Sequence, residues 1–132
     1  MTDRAPDSLR TPLGRVRHLG SARSGTLHFW HQRLTAVALV PLTIAVIVIV
    51  VGLLGRNHAA VVQILGSSFV AITMLLFIVA SVYHMWLGMQ VIIEDYLQDE
   101  MTKLATLVAN TFFACAVGVT ATFAILKLSF GL

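Results

Sequence analysis

The sequence predicts an all-α integral membrane protein with three transmembrane helices, its N-terminus inside and its C-terminus outside. Three observations carry that reading. Of 132 residues, 58% are hydrophobic and only 11% are charged, a more apolar balance than soluble domains show. No charged residue occurs within 34–55, 59–93 or 104–126, and each run reaches the roughly 20 residues a helix needs to cross hydrocarbon. The basic residues are also uneven. Arg4, Arg10, Arg15, Arg17, Arg23, Arg33 and Lys103 fall on one side, against Arg56 and Lys127 on the other. The richer side is the inner one by the positive-inside rule. A small soluble bundle would need polar faces on most helices, and these runs have almost none.

Taken in order, residues 1–33 read as a cytoplasmic or interfacial segment. They carry six arginines and no long apolar core, so no cleavable signal peptide is expected. Phe29 and Trp30 suit the aromatic interface zone just before the first span. That span covers about residues 34–55 and contains Pro41, which removes one backbone donor. Gly55 to His58 forms a short turn. The second span, residues 62–93, is longer than a minimal crossing and so predicts a tilt or an end projecting into the interface. Residues 94–103 make the second polar connection, and the third span, 104–127, closes at Lys127. Residues 34–132 thus form one three-helix membrane domain, with no separate soluble domain expected. Cys115 stands alone in the third run, which gives no disulfide framework and no cysteine cluster. The net charge of +3 fits the surface of a lipid bilayer better than nucleic acid, given the hydrophobic spans.

The stretch SVYHMWLGMQVIIEDY, Ser81 to Tyr96, places a histidine deep in an apolar run and an acidic, aromatic group at its end. An uncompensated polar group in hydrocarbon costs several kcal/mol, in order of magnitude. His84 therefore needs a partner, and three are open: a hydrogen bond to a neighbouring helix, a proton path, or an iron as axial haem ligand. Ala80, Ser81 and Gly88 lie one turn to either side and leave a small-residue patch beside the imidazole. Met85 and Met89 read as packing residues. A second axial ligand would come from another chain; His28 and His31 are available in this one, but they sit near the membrane surface. Eleven residues separate His84 from Asp95, a rotation of about 1100° and a rise of about 16 Å, so both fall on one face of a regular helix. Tyr96 offers a phenolic donor for a quinone carbonyl, or a plain interface anchor. Asp95 could orient Tyr96, Arg33 or a water, or be a solvated end charge. Arg33 could neutralise a haem propionate or order a quinone pocket, or simply anchor the inner end. His31 could join either network, or neither. Gln90 and Asn110 also call for partners inside the membrane.

HMWLGMQVIIEDY, His84 to Tyr96, resembles the second-helix motif of the succinate dehydrogenase hydrophobic membrane anchor family. HFWHQRLTAVAL, His28 to Leu39, is similar to the entrance of that family's first span, and TPLGRVRHLGSARSG to its alphaproteobacterial members. The resemblance extends over residues 11–132. It implies half of a heterodimeric haem-binding helical bundle in the inner membrane of a bacterium, or of a mitochondrion if organellar. By the same resemblance His84 is one axial ligand of haem b, with the opposing histidine from the second anchor of the complex, its cytochrome b subunit. Tyr96 and Asp95 then belong to the ubiquinone site, and Arg33, with His31, lies near propionate and quinone groups.

The implied complex is succinate:ubiquinone oxidoreductase. FAD belongs to its flavoprotein subunit and the iron–sulfur clusters to its iron–sulfur subunit. This chain has neither a dinucleotide fingerprint nor cysteine clusters, so it is not catalytic on its own. The alternatives are the cytochrome b anchor of the same complex, a fumarate reductase anchor, or a small transporter or proton-conducting protein using His84 and Asn110. The EDY ending favours the hydrophobic membrane anchor over its cytochrome b counterpart.

Overall fold

The computed structural model describes residues 11–16 and 25–131. Among them five helices follow one another: α1 (Pro12–Val16), α2 (Gly25–Leu53), α3 (His58–Leu65), α4 (Ser68–Tyr96) and α5 (Glu100–Phe130). No strand occurs among the described residues. Helices α2, α4 and α5 are each long and apolar enough to cross a membrane, in agreement with the all-helical, three-span expectation. Arg4, Arg10, Arg17 and Arg23, which carry much of the charge asymmetry, lie outside the described residues.

α2 begins before its predicted span, α4 ends beyond its own, and α5 passes both ends of its own. α2 has 29 residues, about 43 Å at 1.5 Å per residue, against about 30 Å of hydrocarbon. It begins at Gly25 rather than near residue 34 because the helix carries its own backbone hydrogen bonds through the polar interface. Pro41 lies inside it without ending it; one missing donor is tolerated in a long membrane helix. Beyond α2, Gly55 takes a φ of +72°, a left-handed conformation that costs a residue without Cβ little. Asn57 then caps α3, its side-chain oxygen accepting from the Ala60 N–H at 2.9 Å.

Where one span was expected over residues 62–93, the structure has two helices. α3 ends at Leu65 and α4 starts at Ser68. Ser67 is extended, with φ −67° and ψ 136°, and its hydroxyl donates to the Ile64 carbonyl at 2.8 Å. A Cβ on Gly66 would meet the Val62 and Leu128 carbonyl oxygens at 3.0 and 3.1 Å. The close of α3 therefore sits directly on the last turns of α5. Two small residues scarcely lower a hydropathy average, so the break is invisible to that measure.

α4 is the central helix, packed on α2 at one side and α5 at the other. Along α4 the facing positions on α5 descend, from Leu128 near Gly66 to Gly118 near Val82 and Thr111 at Trp86, so the two are antiparallel. Asp99 caps α5: the hydroxyl and backbone N–H of Thr102 both donate to its carboxylate, at 2.6 and 2.8 Å. Those bonds hold the Asp99 carboxyl below its ordinary value. Few side chains are buried, chiefly Ala71, Leu87, Ile93, Asn110, Ala114 and Ile125, and α2 buries none. In lipid an exposed apolar face carries no penalty, so helix contacts rest on packing and polar bonds.

Candidate functional site

The seam between α2 and α4 is polar at one end. His28, Gln32, Thr35, Leu39 and Leu42 are half-buried, and their spacing of three and four residues is that of one helix face. That face presents three polar side chains from the first part of α2 and apolar ones thereafter. Opposite it stand His84 and Gly88 of α4.

Two hydrogen bonds cross this seam. Thr35 Oγ1 lies 2.9 Å from His84 Nδ1, and the Tyr83 hydroxyl lies 2.9 Å from His31 Nδ1. The His31 and Tyr83 rings are 5.9 Å apart. Adjacent residues of α4 are thus tied to α2 one turn apart. Gly88 faces Gln32: a Cβ there would lie 3.4 Å from Gln32 Nε2, an ordinary contact that packing of these two helices alone accommodates. Buried beside this stretch, His28 Nε2 and Gln32 Oε1 have no hydrogen-bond partner among the described residues. Such atoms are rare in folded proteins and call for an explanation.

The other side of α4 is a different kind of contact. Buried Asn110 donates from Nδ2 to the Trp86 carbonyl at 3.1 Å, and the Trp86 indole donates to Thr111 Oγ1 at 3.2 Å. Tyr83 stacks on Trp86 with centroids 5.8 Å apart. An apolar groove of about 690 Å³ opens here, lined by Val82, Tyr83, Trp86, Ala114 and Gly118 among others. His84, Asp95 and Tyr96 do not line it. His84 bonds toward α2 and Asn110 bonds in from α5, so the two polar groups do not form one continuous line.

At the end of α4 the structure leaves the other predicted residues apart. Asp95 is exposed and Tyr96 is 80% exposed. Arg33 is exposed, and its guanidinium carbon sits 5.1 Å from the Phe29 ring centroid, within cation–π range. Among the described residues no hydrogen bond or ion pair joins Arg33, Asp95 and Tyr96. No group of three or more His, Cys, Asp or Glu side chains that could hold a metal ion occurs among the described residues either. Sequence reasoning passed over Thr35 and Tyr83. The signal for Thr35 was its place three residues after Gln32 and seven after His28, on one helix face. For Tyr83, whose partner lies 52 positions away, no local signal exists.

Residues 7–125 match the family model described as succinate dehydrogenase/fumarate reductase transmembrane subunit. This chain belongs to that family. It is 31% identical over 121 residues to the succinate dehydrogenase hydrophobic membrane anchor subunit of Paracoccus denitrificans, covering 92% of this chain and 93% of that one. It is 29% identical over 105 residues to the protein of the same description from Rickettsia bellii, covering 80% and 84%. The succinate dehydrogenase membrane anchor subunit of Reclinomonas americana is 30% identical over 96 residues, covering 70% of this chain and 80% of its own. No solved structure matches. With three spanning helices, this member of the transmembrane-subunit family is a multi-pass inner-membrane protein.

Proposed function

We propose that the chain is the hydrophobic membrane anchor of a succinate dehydrogenase, the partner of a separate cytochrome b anchor. In this reading it holds the flavoprotein and iron–sulfur subunits at the bilayer, shares haem b with the cytochrome b anchor, and helps form the site of ubiquinone reduction. The N-terminus is cytoplasmic, on the side richer in arginine. The observation that carries the haem assignment is the setting of His84. It is half-buried in the α2–α4 seam, with Nδ1 engaged by Thr35 and no partner for Nε2 among the described residues.

The residues present fit one half of a haem site. His84 would hold the iron through a ring nitrogen. His28 Nε2 and Gln32 Oε1, buried and unpaired in the same seam, suit the polar substituents of a bound group. Arg33 and His31 stand in the same two turns of α2 and supply a cation and an imidazole for propionates. When bound, the haem supplies one-electron carriage; this chain ligates and orients it. Asp95 and Tyr96 sit about 16 and 18 Å along α4 from His84, at the end that meets the soluble subunits in this orientation. There the Tyr96 hydroxyl donates to a quinone carbonyl and Asp95 orders the polar surroundings. Their exposure in the single chain suits a pocket whose other walls are partner subunits. The fumarate reductase reading shares the same family description and differs in the direction of electron flow.

The test uses the intact four-subunit complex. His84→Tyr should abolish or shift the b-type signal in reduced-minus-oxidised spectra with all four subunits present. An unchanged spectrum rejects His84 as a ligand. Tyr96→Phe should lower quinone reduction by about tenfold, the effect of one hydrogen bond, while succinate oxidation with a soluble acceptor persists. Equal losses in both assays would place Tyr96 in assembly instead.

A further inference from the structure

Thr35 forms three short contacts with one hydroxyl. Its Oγ1 lies 2.8 Å from the His31 carbonyl oxygen and 3.1 Å from that of Gln32, both in its own helix, and 2.9 Å from His84 Nδ1 across the seam. A hydroxyl has one proton to donate and two lone pairs to accept with. A carbonyl oxygen only accepts. The proton is therefore committed to the preceding turn of α2, a common arrangement for threonine within a helix, and a lone pair of Oγ1 faces the imidazole. His84 Nδ1 is then the donor, which fixes the neutral ring as the Nδ1–H tautomer and puts its lone pair on Nε2.

We propose that Thr35 is a positioning residue for the haem: it sets the tautomer and ring orientation of His84, so that Nε2 is presented as a ligand. This rests on the haem reading above. The arrangement serves the role in two ways. An N–H donated to an oxygen makes the ring a stronger electron donor at its other nitrogen, and it holds the ring plane against rotation. The helix fixes the acceptor in turn, because Thr35 is restrained by the two carbonyl oxygens beneath it. The paired contact of Tyr83 with His31 keeps the same turns of α2 and α4 in register. Had the hydroxyl donated to His84, the proton would sit on Nε2 and no lone pair would face a metal.

The experiment compares Thr35→Val, Thr35→Ala and Thr35→Ser in the purified four-subunit complex, with His84→Tyr alongside. Two quantities are read: the rate of haem transfer to excess apomyoglobin, and the midpoint potential of the b-type centre. Thr35→Val keeps the shape and removes the acceptor. It should weaken haem retention about 10- to 100-fold, the usual effect of losing such an outer partner. The potential should rise, because a poorer donor stabilises oxidised iron less. Thr35→Ser should restore both. Thr35→Ala removes the acceptor without a second branch to pack and should behave as Thr35→Val, covering the case in which the valine complex does not assemble. Wild-type haem retention and potential in the valine or alanine complex overturns the proposal, as does a serine complex as impaired as they are. An unaltered haem spectrum in His84→Tyr would instead remove the haem reading itself, so the two failures are told apart.

Discussion

The two seams of α4 treat polar groups in opposite ways. Toward α5, Asn110 and Trp86 each donate to a group on the facing helix, and small residues such as Ala114 and Gly118 allow close approach. Both of those bonds are closed within this chain. Toward α2, two bonds form, but His28 Nε2 and Gln32 Oε1 remain buried without partners among the described residues. A helix contact that needs only packing satisfies its own donors and acceptors; in the haem reading proposed above, the open atoms toward α2 would be met by the bound group. The lesson is that polarity inside a membrane protein divides into glue and socket, and the hydrogen-bond inventory separates the two.

Substitutions can break this contrast. The largest effect is expected at the closed seam. Asn110→Leu removes the bond to the Trp86 carbonyl and should destabilise the complex by about 1 kcal/mol, read as a lower midpoint in detergent-induced unfolding. Gln32→Leu, at the open seam, should leave the same midpoint unchanged or raise it in complex stripped of haem, because an amide whose buried oxygen has no partner is replaced by an apolar side chain. A Gln32→Leu loss equal to that of Asn110→Leu would erase the distinction. The smallest effect lies outside both seams. The Asp99 carboxyl is held below its ordinary value of 3.8 by Thr102. A depressed folded value stabilises the charged form, so the cap's contribution is present at neutral pH. It is lost as the pH falls below about 3.8 and through the lower folded value. Asp99→Asn keeps an acceptor at the cap and should flatten that acid-side slope in a thermal melt followed from about pH 5 to about pH 2.

Much of this was legible in the residues, for physical reasons that also mark the limit. Three charge-free runs imply three spans because hydrocarbon excludes charge; α2, α4 and α5 take up most of each, while residues 59–67 of the second fall in α3 and the break before α4. The Gly66–Ser67 break was not legible, since hydropathy measures transfer and not backbone geometry. His84 stood out because an imidazole has no partner within an apolar run. Thr35 did not, because threonine in a helix satisfies its own proton on the preceding turn, and only the three-dimensional contact reveals what its lone pair faces. Asp95 shares a face with His84 by rotation, yet exposure rather than contact describes it and Tyr96 in the folded chain.

The interruption at Gly66–Ser67 acts as a depth stop. An unbroken apolar helix over residues 62–93 would exceed the bilayer and could slide along its own axis by a turn or more at small cost. Splitting it, and pinning α3 against the end of α5, removes that freedom. The start of α4 at Ser68 and its close at Tyr96, followed directly by the Asp99 cap, define both ends of the rod. His84 then stands about 24 Å from Ser68 and about 18 Å from Tyr96 along the helix. In the haem reading proposed above, His84 would hold the cofactor at that height along α4, so a break remote from the imidazole would help to set where the electron is held.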